Sequence, residues 1–417
     1  MNIGIVTTWF ERGASYVSKQ YQELLEQCGH EIYIFSRGGI FDPHFGNAKH
    51  VFHTEQLPAP YPDKFNQEIF INWLKDNKIN AVLFNEQKEM SPLATCTNLG
   101  VKTGAYIDYY TKQTVQLFAA YDFLICNTKR HYSVFQWHPQ AYYLPWGTDT
   151  NLFTPQKTDF SSLVTQGKVT FFHSCGFSYY RKGTDLLIDA MTRSNNRNMH
   201  LVLHAQKKIM EQLPEDKANQ LKQLIQEGQC TLICETVSAP GLYHLGDVYV
   251  YPSRLDGLGL TMAEALSCGL PIIVPNEAPM NEFGNDECRY LVPVAKYFPR
   301  SSDNYFWPMN EIKVDELSSI MQNLADKPEK VKNLKKQARS YACNFLDWKE
   351  RQEQLNNIFC NSCILQTKEK SNIISKIQHG ENVWKQKGFA FKLYDLSPCL
   401  YKFAYKIMKY LKSHKIK

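Results

Sequence analysis

Two carboxylates flank a short glycine loop in the second half of the chain. The segment 247–271 reads as a buried strand, a loop containing Gly257 and Gly259, and then a helix. Ligands in open α/β sheets bind beyond the carboxyl ends of the strands. Asp256 directly precedes the glycines, where a carboxylate can hold sugar hydroxyls. Glu264 lies about one turn inside the helix, where its carboxylate can accept hydrogen bonds from both hydroxyls of a ribose.

The start of this helix is suited to binding an anion. The free amides of Leu260 and Thr261 and the positive end of the helix dipole favour negative charge, and Gly259 lacks the Cβ that would block a phosphate. The alternative is that the glycines only make a tight turn. Acidic residues eight positions apart, directly after a strand, favour the binding site. Met262 stands where a dinucleotide fingerprint needs its third glycine, so that fingerprint is excluded.

A second strand–loop–helix unit carries two adjacent cations. Arg181 and Lys182 follow the apolar run 169–174 and a loop at Gly176, and they precede a helix-length stretch. They could clamp a diphosphate and neutralise the charge that builds on it as it leaves. The alternative is two solvated surface cations. Their place at the same sheet edge as the glycine loop favours the diphosphate clamp.

The first half of the chain offers weaker candidates. Gly13 and Ala14 link the first strand to the first helix, where the backbone could approach a phosphate, although an ordinary turn is the alternative. Asp108 follows another strand and is expected to face the cleft. His131 follows the strand 123–126; we expect it to be a buried structural histidine rather than a catalyst.

Alternating strands and helices position these residues. In the first half, apolar strand-length runs alternate with amphipathic helix-length stretches, which is typical of a parallel sheet covered on both faces. The strand-length runs are 3–8, 31–35, 81–84, 103–107, 123–126 and 142–144.

The same pattern restarts after a polar stretch, 145–166, which we interpret as an interdomain linker. The strand-length runs of the second half are 169–174, 200–204, 229–234, 247–251 and 271–274. The sequence therefore predicts an α/β fold with two Rossmann-like parallel-sheet domains facing across a cleft, plus a helical C-terminal tail. The predicted divisions are 1–155, 166–330, helices over 331–360 that cross back to the first domain, and a basic amphipathic tail over 361–417.

Composition excludes several classes of protein. The 417 residues are 43% hydrophobic and 21% charged, as in ordinary globular proteins. No run of 18 apolar residues predicts a membrane span, and residues 1–7 read as a strand rather than a signal peptide. Twelve scattered cysteines, with one unpaired Cys-x-x-Cys, indicate reduced thiols and a cytoplasmic protein. Walker-type phosphate loops, HExxH and nucleic-acid motifs do not occur.

The net charge of +6 is unevenly distributed. Residues 361–417 hold twelve lysines and three acidic residues, so the first 360 residues carry a net −3. A nucleic-acid partner is therefore not expected. Within the tail, residues 400–417 place Leu400, Phe403 and Ile407 on one helical face, with lysines mostly off it. Such a helix favours an anionic membrane surface, and packing on protein is the alternative.

Together these motifs resemble those of the retaining glycosyltransferases of family 4, which have the GT-B fold. The resemblance covers roughly residues 1–360. It depends on the Gly13 loop, Gly29-His30-Glu31, the segment 145–155, Arg181-Lys182-Gly183 and the Asp256–Glu264 block.

The resemblance implies a role for each motif. Glu264 would bind the donor ribose, Asp256 would touch the transferred sugar, and the loop 236–241 would cup the base. Lys182 and Arg181 would contact the diphosphate, assisted by the amides of the helix start.

Three positions depart from the family pattern. Asp256 stands where the family usually has glutamate, and Phe177 stands where it often has arginine, so Arg181 would have to supply that charge. Asp108 lies where the family often has histidine.

The resemblance thus implies a glycosyltransferase that moves a sugar from a nucleotide-diphosphate donor to a glycan or lipid-linked acceptor. Retention of configuration is implied by the family. No metal cofactor is expected, because Asp-x-Asp, the metal-holding motif of the other large glycosyltransferase fold, does not occur. The alternatives are an epimerase or hydrolase of sugar nucleotides on the same fold, and a sugar-nucleotide-binding scaffold with a decayed site.

Overall fold

The protein is described by a computed structural model. The described residues are 1–54, 66–155, 167–194, 196–302 and 305–381, together with 383, 397, 399, 400, 403, 404 and 407.

The first domain is a seven-stranded parallel sheet with helices on both faces. Its strand order is β3-β2-β1-β4-β5-β6-β7. The elements are β1 (Asn2–Trp9), α1 (Gly13–Gln27), β2 (Glu31–Phe41), β3 (His50–His53), α2 (Gln67–Asp76), β4 (Ala81–Phe84), α3 (Ser91–Asn98), β5 (Lys102–Tyr106), β6 (Phe123–Cys126), α4 (Lys129–Phe135) and β7 (Ala141–Tyr143). β4 and β6 are buried at every position, which explains their unbroken apolar sequences.

The second domain is a six-stranded parallel sheet in the order β10-β9-β8-β11-β12-β13. The elements are β8 (Val169–Ser174), α5 (Thr184–Arg193), β9 (Met199–Ala205), α6 (Glu215–Gln226), β10 (Cys230–Cys234), β11 (Val248–Val250), α7 (Leu260–Ser267), β12 (Ile272–Pro275), β13 (Arg289–Val292), the antiparallel hairpin β14 (Val294–Ser302) and β15 (Tyr305–Ile312), and α8 (Val314–Ala325). The two parallel sheets confirm the predicted fold class.

The chain passes between the domains twice, and the two passages touch. α9 (Pro328–Phe345) packs on α7, whereas α10 (Gln352–Asn361) packs on α1. Between them, the amide of Thr148 donates to the carbonyl of Leu346 at 2.7 Å, and the amide of Trp348 donates to the carbonyl of Thr148 at 3.0 Å. A Cβ at Gly147 would lie 2.5 Å from the Leu346 carbonyl oxygen, so only glycine fits this close approach.

The first part of the predicted tail packs on the first domain. α11 (Lys368–Gln378) lies against α3 and the turn 115–120 and buries Ile374 and Ile377. Nζ of Lys370 lies 2.5 Å from Oδ1 of Asp122, and both side chains are buried. Residues 361–381 are thus part of the globular structure.

Most of the segment predicted to bind a membrane lies outside the described residues. Of residues 400–417, only 400, 403, 404 and 407 are described, and Leu400, Phe403 and Ile407 are exposed. Across the described part of the chain, every helix is too short or too polar to traverse a bilayer.

Candidate functional site

The glycine loop of the second domain meets the first domain across the cleft. α7 begins after Gly259, whose φ of 81° is strained for any residue with a side chain. A Cβ at Gly257 would lie 3.4 Å from Cβ of Asp108, and one at Gly13 would lie 3.4 Å from Leu260. The structure thus brings the candidates of both domains to one place. Ala14 follows Gly13 in the first turn of α1, and its carbonyl accepts a hydrogen bond from the side-chain amide of Asn85 at 2.7 Å.

Asp256 holds both cations of the second cluster. Its Oδ2 lies 2.7 Å from Nζ of Lys182 and 3.6 Å from Nη1 of Arg181. The Tyr251 hydroxyl contacts both Lys182 and Asp256. The amide of Gly259 donates to the other carboxylate oxygen at 3.2 Å. The cations, the carboxylate and the glycine loop therefore form one connected group.

Burial and charge set the protonation of this group. Burial opposes ionisation of Asp256, but the charges of Lys182 and Arg181 outweigh it and hold the pKa of Asp256 below its usual range. Burial and the Arg181 charge hold the pKa of Lys182 below its usual range, against the attraction of Asp256. The site thus contains two neighbouring cations that share one carboxylate, and it can accept a further anion.

Glu264 lies one turn inside α7, where the sequence places it. One of its carboxylate oxygens accepts a hydrogen bond from the Tyr243 hydroxyl at 2.5 Å. Burial raises the pKa of Glu264 to about 7, opposed by that hydrogen bond and by the charge of Lys182. Its other oxygen makes no hydrogen bond within the described part of the chain.

The loop 236–241, which is predicted to bind the base of the donor, contacts residues near the start of the first domain. The Ser238 hydroxyl lies 3.2 Å from Oε1 of Glu11, and the amide of Ala239 lies 3.4 Å from the Tyr16 hydroxyl. Tyr16 in turn donates to Glu11 at 2.7 Å. These contacts between the two domains close the cleft at this end.

A carboxylate pair faces the glycine loop from the first domain. Glu86 follows β4, Asp108 follows β5, and Nη2 of Arg12 lies 3.0 Å from Oε2 of Glu86. Burial and the neighbouring Glu86 charge raise the pKa of Asp108 well above its usual range. Asp108 is therefore suited to hold a proton beside the glycine loop.

The backbone of Glu86 is strained and held in place. Its φ is 50°, a conformation that side chains disfavour. The guanidinium of Arg37 donates to the carbonyls of Asn85 at 2.6 Å and Glu86 at 3.1 Å. The Tyr106 hydroxyl donates to the Asn85 side chain at 2.7 Å. Strain that is held by surrounding contacts is common at functional sites.

Sequence reasoning missed Glu86, Tyr251 and Tyr243. Glu86 had a signal, since it follows a strand end as Asp108 does. Tyr251 is the last residue of the predicted strand 247–251, so its position at a strand end was also a signal. Tyr243 lies in a turn, and nothing in the sequence marked it. The expectation that His131 is a buried residue is confirmed, and burial lowers the pKa of its ring to about 3.

The far side of the cleft is also closed. Both carboxylate oxygens of Glu282 accept hydrogen bonds from the amides at the start of α4, Lys129 at 2.5 Å and Arg130 at 2.9 Å. The Arg130 guanidinium lies 2.6 Å from Glu277. In the described part of the chain, no group of three or more His, Cys, Asp or Glu lies close enough together to hold a metal.

Comparison with known sequences identifies the second domain. Residues 168–298 match the family model described as Glycosyl transferases group 1. An uncharacterized glycosyltransferase of Methanocaldococcus jannaschii is 25% identical over 175 residues, which are 41% of this chain. The match spans only 43% of that relative's length. The second domain is thus similar to glycosyl transferases of group 1.

Comparison with solved structures identifies the fold of both domains. A glycosyltransferase of Rickettsia africae has a TM-score of 0.69 at 13% identity, covering 87% of this chain and 99% of that one. HepE of Anabaena with UDP-glucose has a TM-score of 0.66 at 14% identity, covering 87% and 100%. Sucrose-phosphate synthase of Thermosynechococcus elongatus has a TM-score of 0.64 at 16% identity, covering 87% and 98%. The chain has the GT-B fold of these proteins.

Proposed function

We propose that this protein transfers a sugar from a nucleotide-diphosphate donor to a glycan or lipid-linked acceptor, with retention of configuration and without a metal. The observation that carries the proposal is the group formed by Lys182, Arg181 and Asp256 at the glycine loop that begins α7. That group lies in the domain that matches glycosyl transferases of group 1. Relatives of the same fold support the donor class, since HepE was crystallised with UDP and with UDP-glucose.

The donor would bind mainly to the second domain. Its diphosphate would take the place of Asp256 as counter-ion of Lys182 and Arg181. Asp256, released from them, would accept hydrogen bonds from hydroxyls of the transferred sugar. Glu264 would hold the ribose.

The acceptor would bind on the first domain. Closure of the cleft would bring the acceptor hydroxyl to the anomeric carbon and exclude water, which limits wasteful hydrolysis of the donor. The bond from the anomeric carbon to the diphosphate breaks, and Lys182, Arg181 and the start of α7 stabilise the charge on the leaving diphosphate. As the acceptor oxygen bonds to the anomeric carbon, its proton would pass to the carboxylate of Asp108, which lies beside Gly257.

A panel of nucleotide sugars tests the donor site by thermal unfolding. A bound donor at 100 times its Kd should stabilise the wild type by about 2.7 kcal/mol. We expect Glu264→Ala to lose that shift, because the ribose loses its acceptor, while Glu287→Ala, an exposed glutamate outside the cleft, keeps it. Since burial raises the pKa of Glu264 to about 7, donor affinity should fall from pH 8 to pH 6 in the wild type. If no nucleotide sugar stabilises the wild type, the donor site is wrong.

We also propose that residues 400–417 bind an anionic membrane from the cytoplasmic side. The exposed Leu400, Phe403 and Ile407 and the lysines of this segment support it. WaaG, which has the same fold, is a glycosyltransferase involved in lipopolysaccharide biosynthesis.

Vesicle co-sedimentation tests this second proposal. The full chain should sediment with vesicles of anionic phosphatidylglycerol and remain free with phosphatidylcholine, because the lysines need a negative surface. Replacing Phe403 and Ile407 together by serine should release most of it, since the apolar face is lost. Equal sedimentation of wild type and variant would show that this segment is not the anchor.

A further inference from the structure

A pocket lies next to Asp256, between the two domains and the hairpin β14–β15. The first domain contributes Tyr110 and His131 to its wall, and the second contributes Tyr297 and Asn310. The described lining includes neither Lys182 nor Glu264, the residues that we assign to the donor diphosphate and ribose. Asp256 and Asp108 also line the pocket, so it begins at the place that we assign to the transferred sugar and extends from there away from the nucleotide.

Hydrogen bonds and packing hold the base of the hairpin in place. The amide of Asn310 donates to the carbonyl of Arg254 at 3.0 Å. The Arg254 side chain is buried and makes two hydrogen bonds of 2.7 Å to the Asp185 carboxylate. Buried Met309 packs with Phe298, Leu255 and two tyrosines of the cleft. A site on such a wall is held in position before a ligand binds.

Two buried polar atoms in this wall lack a partner in the described structure. Oδ1 of Asn310, an acceptor, and Nδ1 of His131, which accepts or donates according to the tautomer of the ring, make no hydrogen bond, although the residues are only 3% and 2% exposed. The amide nitrogen of Asn310 is already used, since it donates to the Arg254 carbonyl at 2.9 Å. Burial and the neighbouring Arg130 charge lower the pKa of His131 to about 3, so the ring stays neutral. Unpaired buried polar atoms are costly, and a ligand hydroxyl, which can donate to Asn310 and either donate to or accept from His131, would relieve that cost.

The chemistry of the wall selects among acceptors. Sugar hydroxyls donate hydrogen bonds, whereas an ionised phosphate only accepts them. The two arginines of the described lining, Arg130 and Arg254, are already paired with the carboxylates of Glu277 and Asp185. The ring of Tyr297 is 64% exposed, and its hydroxyl donates to Glu277 at 2.7 Å, which orients the ring. An exposed, oriented aromatic face offers apolar area at low entropic cost. We propose that this pocket is the acceptor subsite and that it binds a carbohydrate residue of the acceptor, packed on Tyr297 and hydrogen-bonded to Asn310 and His131.

This inference rests on the proposed sugar transfer, and its test separates the two. Transfer is measured from the donor found by thermal shift to a panel of p-nitrophenyl glycosides, and to undecaprenyl phosphate in detergent. We expect transfer to glycosides and a rise of about tenfold in the acceptor KM for Tyr297→Ala. The donor KM and the slow hydrolysis of the donor should stay unchanged. Tyr297→Phe should retain most of the affinity, and Phe345→Ala, an exposed aromatic on α9, should have no effect.

Three results would overturn the subsite. The first is transfer to undecaprenyl phosphate alone. The second is transfer to glycosides with the same acceptor KM in Tyr297→Ala as in the wild type. The third is a Tyr297→Ala variant in which the donor KM rises and the acceptor KM does not. Absence of transfer to every glycoside, with donor binding intact, also counts against it. Absence of donor binding contradicts the proposed function itself.

Discussion

Replacing Lys182 by alanine should lower the rate of sugar transfer by about 10²–10³-fold, the usual cost of removing one group that stabilises transition-state charge. Lys182 and Arg181 are the two cations that share Asp256, and we assign both to the leaving diphosphate. Without Lys182, Arg181 and the start of α7 remain to stabilise the charge that develops there. The loss should appear in kcat more than in donor affinity, because the charge on the leaving group grows as the bond breaks.

The measurement is steady-state transfer with the donor identified by thermal shift. Lys208→Ala serves as the matched control, since Lys208 is exposed and lies outside the cleft. A melting temperature close to that of the wild type would show that the variant is folded, and we expect this because Arg181 remains beside Asp256 to balance its charge. Full activity in a folded Lys182→Ala protein would remove Lys182 from the mechanism.

Replacing Lys370 by alanine should destabilise the protein by about 3–5 kcal/mol, the typical cost of leaving a buried charge without its partner. Asp122 is fully buried and accepts hydrogen bonds from the amides of Thr103 at 2.8 Å and Leu365 at 2.7 Å. Lys370 is the cation that balances its charge. Without Lys370, the buried negative charge of Asp122 has no cation to balance it.

Urea unfolding followed by tryptophan fluorescence measures the effect. Lys368→Ala, an exposed lysine on the same helix, should unfold with the wild type. Adding Asp122→Asn to Lys370→Ala should recover part of the loss, because the stranded charge is then removed as well. An unchanged midpoint in Lys370→Ala would mean that α11 contributes little to the stability of the first domain.

Much of the fold is predictable because burial leaves a clear pattern in the strands. The runs 81–84, 123–126 and 169–174 coincide with β4, β6 and β8, since each is buried on both faces. The edge strand β3 was missed because its burial is partial, so it carries no apolar run.

The hairpin was missed for a different reason. β14 and β15 contain Pro299 and Pro308, residues that argue against a central strand. A two-stranded hairpin has only edge strands, where a missing backbone donor is tolerated.

The site was predictable where residues follow strand ends. Asp256, Lys182 and Asp108 were found this way, and the structure places all three in the cleft. Their partners were not predictable, because a contact such as Tyr243 with Glu264 joins segments whose spacing carries no signal. The ion pair between Asp256 and Lys182 was missed because each residue was assigned to a ligand instead.

The paired crossing at Thr148 and Leu346 limits how the domains can move. Both connections run side by side and are joined by two backbone hydrogen bonds, with Gly147 pressed against the Leu346 carbonyl. Two tethers joined at one point permit rotation about that point but resist sliding. The two GT-B domains should therefore rotate about this hinge. A rotation of a few degrees there would separate Glu282 from α4 by ångströms, because that contact lies far from the hinge.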